Sequence, residues 1–356
     1  MGGILSDLRG AVVRTGLKIL HWSGLPQGLQ RWLAGSGAIF TLHHVRPASD
    51  AAFQPNRFLE ITPGFLDHTI VALRQQGFSF VSIDEVHRRL QSGDCAERCV
   101  CLTFDDGYRD NLVHAYPVLR AHGVPFTIYV TTSFIDGTGE LWWRVLEKVV
   151  AERDEIEATL DGTKQVFDCS STTKRKSTFK TIYHWLRRRE SEEELREAVR
   201  ALAQRYDIDT AAICRDLCMT WDELRGLAAD PLVTIGAHTV RHPILSKVSA
   251  ADVRSELVDS ASVLERRLGR RPRHFAYPFG ESVSAGPREY AIAAEAGFDT
   301  AVTTRPGVLF PEHRHHLTAL PRFTMTGTKQ EVCHLAVMLS GLPTAVTNGF
   351  RRVNVA

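Results

Sequence analysis

Short runs of apolar and β-branched residues alternate along the chain with stretches whose apolar positions recur every three to four residues. GAIFTL (37–42), FSFVSI (78–83), CVCLTF (99–104), PFTIYVT (125–131), LVTIGA (232–237), RHFAYPF (273–279) and TAVTT (300–304) read as buried strands. Between them the spacing predicts helices in FLDHTIVALRQQG, IDEVHRRLQSG, LVHAYPVLRAHG, WDELRGLAAD, ADVRSELVDSASVLERRLG and REYAIAAEAG. Some carry start or stop signals, such as Thr220 ahead of Trp221-Asp222-Glu223, and Gly269 or Gly297 at the end. Strand–helix alternation of this kind predicts parallel strands joined by crossover helices, in a barrel or a doubly wound sheet. About seven such units suit a barrel, and no GxGxxG follows the first strand to mark a dinucleotide-binding sheet.

One region breaks the rhythm. Residues 140–216 hold 15 Lys and Arg and 16 Asp and Glu among 77 residues, far denser than the 24% charge of the whole chain. The segment reads as a helical insertion between the fourth and fifth strands, packed outside the barrel. Within it Lys174, Arg175, Lys176, Lys180 and Arg187-Arg188-Arg189 form a basic run, with no acid from Cys169 to Arg189. Such a run is ordinarily a solvated face; read functionally it suits an anionic partner, without the aromatic-rich pattern of a nucleic-acid module. The organisation expected is an N-terminal amphipathic helical segment (1–36), an α/β barrel (37–325) carrying the insertion at about 140–216, and a C-terminal helical tail (326–356).

Composition changes little in this picture. The 356 residues, 44% hydrophobic with a net charge of +2, bury ample core and do not describe a dedicated polyanion binder. Seven cysteines without framework spacing read as thiols in a reducing compartment rather than disulfides or zinc knuckles. Arg9, Arg14 and Lys18 interrupt the apolar start, so a cleaved secretory signal is not expected, and no run of about 18 uncharged apolar residues offers a spanning helix. The expectation is a cytoplasmic protein. Residues 4–20 fit an amphipathic helix that docks onto the protein's own core, with weak membrane-surface contact as the alternative.

The strongest chemical signal is Thr103-Phe104-Asp105-Asp106-Gly107-Tyr108, two adjacent carboxylates directly after a buried strand. Side chains alternate along a strand, so the two acids diverge unless the chain turns, and Gly107 supplies a turn. In parallel α/β folds the carboxyl ends of the strands are where active sites assemble. Alone, the string is more often a strand-end turn. A second signal shifts the weighting: His238-Thr239-Val240-Arg241-His242-Pro243 also follows a strand. Pro243 disfavours helix at His242, so the pair reads as two imidazoles on a loop folded around an ion. Two imidazoles and one carboxylate leave coordination positions open, as a catalytic zinc or similar divalent ion requires. A third block, Phe275-Ala276-Tyr277-Pro278-Phe279-Gly280, offers a backbone amide for an oxyanion and an aromatic wall for a sugar ring. On its own it is equally a strand closed by Pro and Gly.

In this order the three blocks resemble those of the polysaccharide deacetylases of carbohydrate esterase family 4, the group that includes the nodulation-type chitooligosaccharide deacetylases. The resemblance covers roughly residues 37–135 and 218–325 and implies a distorted (β/α)7 barrel. It implies Asp105 as general base, Asp106, His238 and His242 as ligands of a divalent metal, most simply zinc, and the Phe279 N–H beside the oxyanion. Tyr277 falls in the same block. FAYPFG, the early Leu-His-His-Val and the long insertion resemble a bacterial exopolysaccharide-associated branch. Two departures stand out: Ala276 occupies the position of an Arg that orients the base, and no late Leu-x-His block supplies the acid. His43, at the end of the first strand, is the candidate acid, its ordinary pKa of about 6.5 suiting donation near neutrality. His313, His315 and His316, after TAVTT, are the competitors.

The implied activity is removal of N-acetyl groups from N-acetylglucosamine-type residues of an oligo- or polysaccharide, releasing acetate. The expected partner is that carbohydrate, not a nucleic acid. A catalytically silent glycan-binding homologue, or a hydrolase of a non-sugar amide or O-acetyl ester, is the alternative. The insertion is expected to shape access while leaving the metal site intact when trimmed.

Overall fold

The computed structural model describes residues 33–94, 96–328 and 330–355. The helix expected at residues 4–20 lies outside them. In chain order the strands are β1 (Gly37–Leu42), β2 (His44–Val45), β3 (Glu60–Ile61), β4 (Ser79–Phe80), β5 (Cys99–Phe104), β6 (Phe126–Val130), β7 (Glu155–Leu160), β8 (Thr163–Asp168), β9 (Val233–Ala237), β10 (His274–Ala276), β11 (Thr300–Val302) and β12 (Phe323–Thr324). The helices are α1 (Pro63–Gln75), α2 (Ile83–Ser92), α3 (Tyr116–Ala121), α4 (Thr132–Ile135), α5 (Trp142–Ala151), α6 (Thr172–Arg187), α7 (Glu192–Arg205), α8 (Thr210–Leu217), α9 (Trp221–Ala228), α10 (Ala250–Leu268), α11 (Pro287–Glu295), α12 (Val332–Leu339) and α13 (Leu342–Thr347).

Seven parallel strands run in the order β11-β10-β9-β6-β5-β1-β12, with β4 paired to the start of β5. A parallel bridge from Val302 to Leu320 brings the two ends of the path together. The result is the curled sheet of a distorted (β/α)7 barrel. Alternation along the strands sorts the side chains. Ile39, Cys101, Tyr129, Ala276, Val302 and Leu320 cluster inside, while Phe40, Leu102, Phe104, Ile128 and Phe275 pack with the surrounding helices. The same parity carries Cys101, Thr103 and Asp105 to one face, so Asp105 reaches the barrel interior at its upper rim.

Three differences from the sequence reading have physical causes. FSFVSI yields only Ser79–Phe80, because Ser82 already caps α2 through its contact with the Glu85 N–H. RHFAYPF stops at Ala276, ahead of Pro278 and a left-handed Phe279. The last strand of the path, Phe323–Thr324, is too short to declare itself by pattern.

The insertion is not purely helical. β7 and β8 form an antiparallel hairpin whose turn is Asp161-Gly162, both at positive φ. Such a pair is the preferred two-residue hairpin turn, and Ile156, Ala158 and Leu160 alternate into an apolar cluster with Trp142, Leu146, Ile182, Leu186 and Val199. The C-terminal segment carries α12 and α13. Among the described residues no helix is long and apolar enough to cross a membrane.

Candidate active site

Asp105 is buried at the end of β5, and its partner comes from an unexpected place. Arg322, immediately before β12, is fully buried and meets Asp105 with both terminal nitrogens, Nη1 to Oδ1 and Nη2 to Oδ2, each at 2.7 Å. Thr41 donates to Oδ2 at 3.2 Å. Burial by itself would raise the Asp105 pKa; the Arg322 guanidinium overrides it, with His238 adding to the effect, and holds the carboxyl well below the usual range. A bidentate arginine also fixes the plane of the carboxylate. Ala276 leaves the arginine position of the third block empty, and an arginine from another strand end serves Asp105 instead.

Asp106 does not follow the alternation. Its φ of 75° turns it back toward the barrel axis, where Oδ1 lies 3.5 Å from His238 Nε2 and 3.3 Å from His242 Nε2. The three are buried and their donor atoms converge within 4.8 Å. Asp106 Oδ1 makes no hydrogen bond in the protein. Burial and the charge of Asp105 push the Asp106 pKa up to about 8, while burial lowers that of His238. His238 Nδ1 donates to the Ala276 carbonyl at 2.7 Å, which turns Nε2 toward the cluster. A buried carboxyl whose Oδ1 has no hydrogen-bond partner, facing two imidazoles, fits a divalent cation.

The loop that carries the histidines is held under strain and clamped from several sides. Thr239 and His242 have φ of 67° and 59°, and Phe279 opposite them 61°. A β-branched residue at such a φ is a genuine outlier, of the kind that persists only where its surroundings over-determine it. Here the His242 N–H donates to Thr239 Oγ1, and Val240 and Arg241 donate their N–H groups to the buried Glu256 of α10. From the insertion, Glu192 accepts the Ile244 N–H and Arg196 donates to the Arg241 carbonyl.

These groups open onto a cleft of about 180 Å³. His43, Asp105, Asp106, His238, His242 and Phe279 line it, as do Phe58 and Tyr183 and Trp143 of the insertion. The insertion therefore contributes part of the cleft wall. His43 Nδ1 has no hydrogen-bond partner in the protein. Burial, aided by the charges of Arg322 and His238 and opposed by Asp105, lowers its pKa to about 4, so the ordinary histidine value does not apply. Tyr277 is not in the cleft. It shares the outward face of β10's extension with Phe275, packs on Tyr290, and donates to the Thr318 carbonyl at 2.8 Å. Of the loop after β11 only Thr304 lines the cleft, and none of His313, His315 and His316 does: Leu309 pairs with Gly37 at the start of β1, and His313 is buried against the Phe310 backbone beside that opposite end.

The sequence matches the polysaccharide deacetylase family over residues 92–159 and 158–301, and the chain belongs to that family. Among individual relatives it is similar to the poly-beta-1,6-N-acetyl-D-glucosamine N-deacetylase of Escherichia coli (strain K12), 30% identical over 108 residues, which are 30% of this chain and 16% of that protein. The curated relatives are matched over a third of their length or less. Two solved structures share the fold. The Streptococcus pyogenes deacetylase PplD, in complex with acetate, has a TM-score of 0.56 at 19% identity, covering 84% of this chain and 97% of that one. IcaB from Ammonifex degensii has a TM-score of 0.54 at 18% identity, covering 85% and 97%.

Proposed function

We propose that the protein is a metal-dependent N-deacetylase acting on N-acetylglucosamine-type residues of an oligo- or polysaccharide and releasing acetate. The observation that carries this reading is a buried Asp105, clamped by both terminal nitrogens of Arg322, in one cleft with the Asp106, His238 and His242 donor set. A silent glycan-binding protein has no need of a buried, charge-clamped carboxylate at that point. Asp106, His238 and His242 would hold the cation, and two nitrogens with one oxygen suit zinc while leaving positions open. A divalent ion there supplies a positive charge to polarise the acetyl carbonyl and acidify water.

The chain's own residues do the rest. Asp105 takes the proton of the attacking water, its oxygens already oriented by Arg322. The Phe279 N–H faces the developing oxyanion, which preorganised donors stabilise far better than solvent does. His43 delivers a proton to the departing amine. Burial keeps its pKa low, so the proton it passes to the amine is the one Asp105 has taken from the water, and the charge of Asp105 is the influence that favours the protonated form of His43. The E. coli relative named for poly-beta-1,6-N-acetyl-D-glucosamine supports a polymeric glucosamine substrate.

The test is acetate release from N-acetylglucosamine oligomers by purified protein, with metal stripped and restored. His238→Ala is expected to lose metal and activity together. A metal-loaded wild-type protein that binds these glycans but releases no acetate would establish the silent homologue instead.

A further inference from the structure

The basic run of the insertion lies on α6 from Lys174 to Arg187 and continues past its end to Arg188 and Arg189, and its geometry relates it to the cleft. Four cations of the run are neutralised locally: Lys174 by Asp168, Arg175 by Asp154, Arg187 by Glu281 and Arg189 by Asp161. Lys176 and Lys180 are exposed and have no carboxylate partner among the described residues. Lys176, Lys180, Tyr183 and Arg187 recur at i, i+4, i+7 and i+11, so they share one face of the helix. The far end of that face is the cleft wall. Tyr183 lines the cleft, and the Arg187 guanidinium lies 4.3 Å from the centre of the Phe279 ring while pairing with Glu281, another lining residue. The 46–59 loop packs along the same helix through Phe53 on Phe179. From Lys176 to Arg187 the stripe spans about 16 Å at the rise of an α-helix, enough to follow several sugar units leaving the cleft.

Resting on the deacetylase reading, we infer that α6 is a substrate track and that the substrate is an acidic N-acetylated polysaccharide, one bearing carboxylate or phosphate groups. Tyr183 supplies a ring face to a sugar at the cleft, and Lys180 and Lys176 meet the acidic groups of the units that follow. Arg187, released from Glu281 when a stronger acid arrives, is the cation nearest the scissile residue. A neutral glucosamine polymer offers two unpartnered lysines on this face hydroxyl and acetamide oxygens but no counter-charge. A membrane surface would be met by cations on any exposed face and would not require them to line up with the cleft.

The test compares wild type with Lys176→Glu/Lys180→Glu, a pair of exposed substitutions outside the catalytic machinery. Substrates are N-acetylheparosan fragments (carboxylate), a phosphodiester-linked N-acetylglucosamine polymer (phosphate) and neutral chitopentaose. The wild type is expected to show a lower KM for at least one acidic polymer than for chitopentaose, rising with salt. The double variant should raise that KM about fivefold or more, the scale of two partly exposed charge contacts, with chitopentaose turnover unchanged. Whichever acidic polymer responds identifies the acid group. Binding to Asp105→Asn protein, read by calorimetry, decides the inference without turnover, so failure to release acetate would sink the deacetylase reading alone. Equal KM values for acidic and neutral polymers in the wild type would overturn the inference. So would a double variant that loses only binding to phosphatidylglycerol vesicles.

Discussion

Both ends of the barrel bring a buried histidine, an aspartate and an arginine together, and they do opposite things with them. At the amino-terminal end His274 is fully partnered, Nδ1 with Thr300 Oγ1 at 2.8 Å and Nε2 with Asp84 at 3.1 Å, and Arg273 bridges Asp84 and Asp299. None of these residues has a positive φ. The cavity there, about 320 Å³, is the larger of the two. At the carboxyl end Asp106 Oδ1, His242 Nδ1 and His43 Nδ1 have no hydrogen-bond partner in the protein, and Asp106, Thr239, His242 and Phe279 all sit in the left-handed region. Satisfied polar groups on relaxed backbone lock a fold. Unsatisfied ones on strained backbone are waiting for something that the chain does not itself contain. The size of the hole points the wrong way here; the state of its polar atoms points the right way.

The sharpest way to break this contrast is at Asp105. Asp105→Asn is expected to keep its metal and lose turnover by about 10²–10⁴-fold, the usual contribution of base catalysis. Acetate release near the wild-type rate, with metal bound, would remove Asp105 from the mechanism.

Arg322→Met comes next, and here the effect is on stability as well as rate. Removing one partner of a buried pair costs about 3–5 kcal/mol, because the remaining charge is left uncompensated. The sign with pH follows. In the wild type the Asp105 pKa is depressed, so its stabilisation is present above the unfolded value of about 3.9 and is lost below it. In the variant burial outweighs the lesser influences of His238 and His43, the pKa rises, and protonation relieves the strain on acidification. The difference between the two proteins in denaturant unfolding should therefore be largest near pH 7, shrink as pH falls towards the unfolded value of about 3.9, and go on shrinking below it. A deficit that is the same at pH 7 and pH 3 would mean that Arg322 contributes packing alone.

What the sequence could disclose follows from contiguity. Asp105, Asp106, His238 and His242 each stand in a short block at a strand end, so residue type and spacing are visible together. Arg322 lies 217 residues from Asp105 and precedes a two-residue strand. The signal was an arginine as the one charged residue of the mostly apolar ALPRFTM, in a chain whose buried base lacked a countercharge. Tyr277 was a parity error: counting along β10 puts it with Phe275 on the outer face and Ala276 inside. The hairpin of the insertion was announced by Asp161-Gly162 after EIEATL, and high charge density hid it. Glu256, Glu192 and Arg196 were beyond reach, because what they do depends on which helix packs against the histidine loop.

That last group tests whether the site ends at the barrel. The sequence suggested that the insertion could be trimmed without harm to the metal site, yet Arg196 is buried, bonded to Glu140, to Glu192 and to the Arg241 carbonyl. Arg196→Met is expected to weaken divalent-metal affinity about 10–100-fold, as lost supporting contacts around a metal ligand do. Turnover at saturating metal should be largely kept. Competition with a chelator measures the affinity, and an unchanged value would return the insertion to the periphery.

The smallest effect is expected at the other end of the barrel. The hydrogen bond with His274, with Arg273 adding its charge against the cost of burial, lowers the Asp84 pKa to about 2. Its contribution is therefore present above the ordinary aspartate value of about 3.9 and fades as pH falls through about 2. The Asp84 and Arg273 side chains are 41% and 58% exposed, so solvent screens the pair, and such contacts are worth about 0–1 kcal/mol. Asp84→Asn should cost no more than that at neutral pH, less at pH 3, and nothing measurable in acetate release or metal content. Thermal unfolding at the two pH values and a single turnover assay would suffice. If Asp84→Asn instead cut turnover tenfold with stability intact, the satisfied end of the barrel would be functional too, and hydrogen-bond satisfaction would fail as the criterion that separates the two.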